Sequence, residues 1–548
     1  MDYNEKLNLT RSRRSFIKAA GAAVFAGAAA VAMGGCTSKQ AAANPNNYAE
    51  SLEDISWDEE TDVLIVGGGL AGHAAAVTVA TEGNGAKCLL IEKGPSPLGF
   101  GDSPFSAGRV LWTDDEHAEG FRSYLYELRG DMDNTPDAVL DAFAAGIHEN
   151  RTWLESLPGF DANDVSFEEH FVPGSGKTCY PEYPELEHGY NLGVLWFKGE
   201  QNDHVIKFVH QVLEQNADTI THKINARLTA LVQDPSSKAV LGGVYEYEDK
   251  TIYVKANKGV IMTCGGFENN AQMRGDYLSG TTARCIAGRE NEGDGHYICA
   301  RIGADMWHMN SCAGFWTSVS PIEGPEVTMR TPKQFGITVA PNGRRFFMDW
   351  DSDHEHDWED IPNHPIDINV GSRHGHMQFG GEWPHLPMPK DTWYILDDDG
   401  YNAMMAYETA PSFEPSSEGY GFTANTIEEL ANKAGIISEE LVKTVELWNQ
   451  YCEAGEDPAF HRPAKTLTPI TKAPFHACHC STTMLNTDGG PRRDEYARII
   501  DLNGDPIPNL FSAGEFGSVW CNMYNGGGNL GECCAFGRIA VRSCLGLA

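Results

Sequence analysis

The chain has 548 residues and 41% hydrophobic content, enough for at least one large core and, on length alone, two to four domains. Its 58 glycines fall in short motifs rather than in a repeat, which excludes collagen-like and low-complexity chains. The formal net charge of -36 repels phosphate backbones, so no nucleic-acid partner is expected, whereas a basic redox partner suits such a surface.

The N-terminus reads as an address. Residues 11–18 are RSRRSFIK, and an apolar Ala/Gly-rich run follows from Ala19 to Met33. A charged start before a short apolar stretch marks a secretory signal, and this run is shorter than the ~20 residues a membrane span needs. Arg13–Arg14 followed by Ser-Phe-Ile-Lys looks like a twin-arginine signal. That route carries folded proteins, which suits an enzyme that takes up a cofactor before export. Met33-Gly34-Gly35-Cys36 resembles a lipobox. Residues 1–36 are therefore expected to direct export to the cell envelope or beyond, with Cys36 as a candidate lipid anchor, and residues 37–56 read as a linker.

The first chemical motif is DVLIVGGGLAG at residues 62–72. The apolar run Val63–Val66 predicts a parallel strand buried on both faces. Gly67, Gly69 and Gly72 then supply G-x-G-x-x-G: a tight turn, a close approach to a pyrophosphate and close helix packing. Leu70 and Ala71 open the helix whose N-terminal amides face the phosphates. A second apolar strand, Cys88–Ile91, ends in Glu92, 20 residues past Gly72, where a carboxylate binds ribose hydroxyls. Strand, glycines, helix, strand and acid in register make a dinucleotide site, where a lone G-x-G-x-x-G does not.

Lys93 and the loop SPLGFGDSPFSAG, which contains Ser106 and Gly108, come next. This loop resembles the FAD-covering loop of the fumarate reductase flavoprotein superfamily. Some members attach FAD covalently through a His in this region. No His stands between Glu92 and Gly108, so noncovalent FAD is expected.

Residues 224–268 read as a small β-meander with strands at Arg227–Val232, Val240–Tyr245 and Thr251–Val254. It ends in GVIMTCGGF, which resembles the superfamily's second FAD contact at Thr263, Gly265 and Gly266. Residues 276–470 are rich in Trp, His, Asp and Pro, lack βαβ periodicity, and read as an inserted cap with its own helices, one of them Ile427–Tyr451. The resemblance closes the FAD site with Gly514 and Glu515, then with a helix at Asn529 and Leu530. The expected fold is thus α/β: a Rossmann-type FAD-binding domain from residues 57–275 and 471–548, with an α+β capping domain inserted at 276–470.

The 14 cysteines show no disulfide-framework spacing, and no C-x-x-C-H occurs for covalent haem. Cys478-His-Cys480 and Cys533-Cys534 leave an iron–sulfur cluster open, but buried free thiols explain such pairs more often. No metal site is expected, and the acidic run Asp351–Asp360 reads as a solvated loop.

The superfamily exchanges hydride between flavin and a carbon next to an electron-withdrawing group. Its fumarate reductases carry an Arg in the closing motif that clamps a carboxylate. This chain has Tyr524-Asn525 instead. Gly343, Arg345 and Phe346 match a G-x-R-F motif, and the fumarate reductases have a proton-donating Arg eight residues on. Here that position is Asp353, beside His354. Losing both arginines argues against a small dicarboxylate, because Asn cannot replace a bidentate cation.

Tyr524 and Gly528 resemble the ketosteroid dehydrogenases, where a Tyr hydroxyl and a glycine N–H polarise a ketone oxygen. The alternative for Tyr524 is packing on the flavin. His354, with His356 behind it, is the candidate proton donor. His479 or His476 is a candidate substrate ligand, or else a core histidine. The resemblance, nearest to the cardiac glycoside reductase-type exported flavoproteins, implies reduction of an activated C=C bond in a neutral α,β-unsaturated carbonyl compound such as a steroid or cardenolide lactone. A separate membrane-bound cytochrome would donate the electrons. The rival readings are ketosteroid dehydrogenation, fumarate- or urocanate-type carboxylate reduction, and a flavin electron-transfer subunit.

Overall fold

Alternate side chains of one buried strand feed two separate cores. In the strand Glu59–Val66, Val63 and Ile65 enter one apolar cluster, and Leu64 and Val66 enter another. That is why the run is continuously apolar: a parallel strand covered on both faces has no solvent side. The computed structural model describes residues 55–547 except 132–133, 174–180, 184–185, 199–203, 279–283, 314–315, 324–334, 347–348, 350–390, 407–413, 463 and 522.

This strand is central in an eight-stranded sheet. Cys88–Ile91 pairs with it in parallel on one side, with Val63 opposite Cys88 and Val66 opposite Ile91. Lys250–Met262 pairs in parallel on the other, with Val66 opposite Met262. Ile220–Lys223 extends the sheet beyond Cys88–Ile91, and Pro506–Ser512 extends it beyond Lys250–Met262. The expected last two pieces of the meander are one 13-residue strand, Lys250–Met262. Its first half carries the antiparallel hairpin, and its second half joins the parallel sheet.

A second sheet of six strands forms around Phe475–Met484, which pairs with Thr392–Leu396, Trp316–Val319 and Gly421–Ala424 in antiparallel and with Arg284–Cys285 in parallel. Its central strand lies beyond residue 470, the expected end of the cap. Conversely, the helix Asp294–Arg301, inside the expected cap, puts Ile298 and Cys299 into the core of the first sheet. Composition blurs these edges because both segments are short and flanked by loops. The expected helix Ile427–Tyr451 is two helices, Ile427–Ala434 and Ser438–Ala454. Gly435 ends the first in a left-handed conformation with φ +69°.

Among the described residues no helix is long and apolar enough to cross a membrane. The cysteines they contain are free thiols. None of the groups of three potential metal ligands among them contains more than one cysteine, so no cluster-binding set is assembled there.

The closing helix, Gly528–Leu545, packs on the first helix, Leu70–Glu82, and on Asp137–Ser156. A fully buried ion pair fixes its start. Glu532 of the closing helix meets Arg493 at 2.7 Å, and Arg493 also donates to the carbonyls of Gly514 at 2.7 Å and Gly517 at 2.6 Å. Glu532 accepts from Ser518 Oγ at 2.6 Å and from the Val519 N–H at 3.0 Å. Removing one partner strands the other charge. Arg493→Met is expected to cost about 3–5 kcal/mol of stability, read from urea unfolding of the FAD-loaded chain.

Candidate functional site

The dinucleotide turn is built by backbone approach. Gly67 has φ +110°, and a Cβ there would lie 2.2 Å from the Thr263 carbonyl oxygen. A Cβ on Gly72 would lie 2.0 Å from the Gly67 carbonyl oxygen. Neither position admits a side chain, so the glycine spacing is a steric requirement of this packing.

Beside the turn opens a cleft of about 840 Å³. Of the residues expected to hold the cofactor, Gly67, Gly69, Leu70, Ala71, Glu92, Lys93, Thr263, Gly265 and Glu515 line it. Both Glu92 carboxylate oxygens accept backbone N–H groups, from Gly68 and Gly94, each at 2.6 Å. Lys93 bridges Glu292 at 2.9 Å and Asp294 at 2.8 Å. Ser106 donates to the Ser103 carbonyl at 2.9 Å and accepts from the Gly108 N–H at 3.3 Å, which shapes the covering loop. Gly266 and Gly514 are close-packing points: a Cβ would lie 2.1 Å from Thr487 Oγ1 and 2.9 Å from Ala71 Cβ, respectively.

Several functional groups escaped sequence reasoning. Ser103 Oγ accepts from the Leu70 N–H at 3.0 Å, within the turn's phosphate-facing amides. Half-buried Asp102 and buried Glu268 and Glu515 form a carboxyl cluster. Asp102 accepts from the Gly288 N–H at 2.5 Å and from Asn291 Nδ2 at 3.2 Å. Asn291 also bonds Glu268, whose other oxygen accepts from Thr487 Oγ1 at 3.1 Å. Glu515 accepts from the Thr487 N–H at 3.2 Å. Burial pushes all three carboxyls above their usual range, and for Glu268 and Glu515 the neighbouring acids push further. Ser103 and Asp102 stand in the loop SPLGFGDSPFSAG, so their signal was present. Glu268 and Asn291 come from distant segments and carried none.

The arrangement fits FAD. Amides at a helix start face a cleft, and carboxyls held above their usual range beside them set less charge against a pyrophosphate than free carboxylates would. Asn529 Oδ1 is buried without a hydrogen-bond partner among the described residues, at the start of the closing helix beside buried Leu530. An orphaned acceptor there fits an N–H of the isoalloxazine ring.

The expected catalytic residues divide. Tyr524 is buried beside this helix start. Its hydroxyl accepts from the Asn529 N–H at 3.3 Å, and the Trp520 ring stands edge-on at 5.3 Å. Burial pushes its pKa up, so it stays a phenol. The Gly528 N–H, expected to act with it, donates instead to the Asn525 carbonyl at 2.9 Å, as the first turn of the helix closes.

Arg345 is not at the cleft. It pairs with Asp457 at 2.8 Å and Asp349 at 3.4 Å and lies over the Phe460 ring and the Trp448 ring, the latter part of the apolar cluster behind the second sheet. His479 is a core histidine of the second sheet. Its Nδ1 lies 3.1 Å from the Ser320 carbonyl oxygen and its Nε2 lies 3.4 Å from Asp391. His476 stacks on Tyr401. The expected proton donor His354, with Asp353 and His356, lies outside the described residues.

The FAD binding domain family matches residues 62–530. The chain belongs to that family. It is an FAD-dependent oxidoreductase. It is 26% identical to digoxin reductase from Eggerthella lenta, covering 100% of this chain and 99% of that protein. It is 24% identical to NADH:acrylate oxidoreductase from Vibrio harveyi over 90% of this chain, but spans only 52% of that protein's length. The fold matches 3-ketosteroid Δ1-dehydrogenase from Sterolibacterium denitrificans with a TM-score of 0.67 at 19% identity, over 89% of this chain and 100% of that one.

Two measurements test this site. Gly72→Val is expected to leave the purified chain with under about a tenth of its normal FAD, read from flavin absorbance per chain, because the helix can no longer approach the turn. The Glu515 carboxyl, raised in the folded FAD-free chain, contributes stability below the ordinary carboxylate range and loses it as pH rises through its folded value. The stability of the FAD-free wild type relative to Glu515→Gln should therefore fall as pH rises from about 4. A flat difference between pH-dependent unfolding curves would contradict the burial argument.

Proposed function

We propose that this family member reduces an activated C=C bond in a neutral α,β-unsaturated carbonyl compound, such as a steroid enone or an unsaturated lactone. FAD, when bound, supplies the hydride. The observation that carries the reading is Tyr524, a buried, un-ionised phenol at the start of the closing helix, in a segment without arginine. A phenol there donates a hydrogen bond to a carbonyl oxygen as negative charge develops on it, and holds its own proton while doing so. Trp520 packed edge-on against its ring holds its direction. His354 is the candidate to deliver the proton to the carbon next to the carbonyl.

The FAD is held noncovalently, since no His stands between Glu92 and Gly108. Export by the Arg13–Arg14 signal, with or without a lipid on Cys36, would put the enzyme where soluble nicotinamide donors are absent. A separate membrane-bound cytochrome is then the electron donor, and the acidic surface suits a basic partner of that kind. The likeness to digoxin reductase over the full chain supports a bulky neutral substrate. The ketosteroid dehydrogenase fold supports the reverse reaction equally, because donor and acceptor potentials set the direction.

One observation favours a second reading, carboxylate reduction. Arg109 packs against Gly527 of the closing motif, with its guanidinium 3.8 Å from the Trp196 ring centroid and no ion pair to any described residue. A cation beside the closing motif is a candidate clamp for a carboxylate.

Anaerobic oxidation of reduced methyl viologen by the FAD-loaded protein separates the readings. Offered fumarate, urocanate, a cinnamate, an enone steroid and a cardenolide, the enzyme is expected to turn over the neutral compounds alone. Tyr524→Phe should lower kcat about a hundredfold while leaving FAD content unchanged. Turnover of the carboxylates alone, lost in Arg109→Gln, would replace the first reading with the second.

A further inference from the structure

Three histidines from distant parts of the chain converge behind the dinucleotide turn. His73 sits in the first turn of the first helix, His210 on the helix His204–Glu214, and His222 on the strand Ile220–Lys223. One ring nitrogen from each lies within 4.8 Å of the other two. The ring centroids are 5.2, 5.6 and 6.0 Å apart. None of the three lines the cofactor cleft.

The hydrogen bonding of this cluster leaves a buried ring nitrogen unused. His73 Nδ1 lies 3.1 Å from the Gly69 carbonyl oxygen, and His210 Nε2 lies 3.6 Å from the Glu214 carboxylate. The first contact is a hydrogen bond that calls for an N–H on His73 Nδ1 and leaves His73 Nε2 as a lone pair; the second is a longer, exposed electrostatic contact that fixes no proton. His210 Nδ1 faces that lone pair, either as an N–H donor or as a second lone pair on a shared cation. The two nitrogens lie 3.0 Å from each other. His222 Nε2 is buried with no hydrogen-bond partner among the described residues. A cation at the point where these nitrogens converge would take up their lone pairs together with that of His222.

The geometry points to a transition-metal site: His73, His210 and His222 bind one divalent ion, preferentially zinc, through their inward nitrogens. Zinc–imidazole bonds of about 2.0–2.1 Å put tetrahedral ligand nitrogens roughly 3.3 Å apart, close to the separation of the first two. The outer partners are of the kind metal-bound histidines use: a backbone carbonyl for His73 and a carboxylate for His210. His73 is fully buried, while the His210 side chain keeps 13% of its surface, which leaves a way in and a fourth position for water. The ion would tie the first helix to the two elements beside it and hold the Gly69 carbonyl from behind. Occupancy then stabilises the turn that holds FAD. The three residues are too far apart in sequence to form a ligand-spacing motif, and for that reason no metal was expected.

The test uses untagged holoenzyme, equilibrated with zinc, desalted and analysed for metal. About one zinc per chain is expected, with a zinc-edge absorption spectrum showing about three imidazole nitrogens in the first shell. His210→Ala and His222→Ala should each cut retained zinc at least fivefold while keeping FAD. Zinc should raise the unfolding temperature of the wild type and not of the variants. A wild type that retains no zinc, or one whose zinc shell is oxygen without imidazole, overturns the site. So does zinc content unchanged in both variants. The absorption spectrum needs no variant, so a variant that fails to fold leaves the decision intact.

Discussion

Backbone touching backbone at Gly67 and Thr263 is the constraint on which the site depends. Thr263 donates its N–H to the Val66 carbonyl at 2.8 Å, and its hydroxyl reaches the Val66 and Gly67 carbonyls at 2.9 and 2.8 Å. This works only if Val66 lies opposite Met262, the register that the parallel ladder enforces. A slip of one residue would exchange Leu64 and Val66 with Val63 and Ile65 between the two cores. Core packing on both faces therefore sets the register, the register sets Thr263, and Thr263 sets the turn. The helix that follows must then start where Gly72 meets Gly67, which aims its unpaired amides at the cleft.

The site is nevertheless not complete within the βαβ unit. Glu515 and the closing helix arrive from the far end of the chain. Their placement depends on a charge pair, Arg493 and Glu532, with no access to water. Such a pair is a poor source of net stability, but it tolerates little displacement, because each lost hydrogen bond leaves a buried charge short of partners. Arg493 spends its donors on the carbonyls of Ser512, Gly514 and Gly517, the turn that presents Glu515. Fidelity of the cofactor site is thus secured from behind by groups that do not line the cleft.

How much of this could be read from the chain follows from range. The nucleotide turn was legible because its requirements are local: an apolar strand, three glycines and an acid within a few dozen residues. The closing segment was legible by resemblance. The carboxyl cluster of Asp102, Glu268 and Glu515 was not, since its members meet only after the strands from both ends are paired. Arg345 misled for the opposite reason. Its motif is local, but Asp457 and Trp448, which determine its role, lie about a hundred residues away. His479 belongs to a strand whose neighbours all come from elsewhere, so its hydrogen bonds to Ser320 and Asp391 had no local signature. The same holds for the break at Gly435, which a periodic pattern spans without registering.

The two groups beside the closing motif do different physical work, and that difference bears on what the enzyme is for. A phenol such as Tyr524 gains little from a neutral ketone in the ground state and more as charge develops on its oxygen. Its contribution falls chiefly on kcat. A cation in the clamping role proposed for Arg109 would hold a carboxylate about equally before and during reaction, so its contribution would fall chiefly on KM. An enzyme that meets scarce, bulky neutral compounds gains from the first device. One that selects small anions from a mixture gains from the second. Here the phenol is buried and oriented by Trp520 and Asn529, while the arginine is partly exposed and stacked on Trp196. Preorganisation favours the group already held in place, because its ordering cost was met on folding. On that ground preorganisation supports the polarising role proposed for Tyr524 over the clamping role proposed for Arg109.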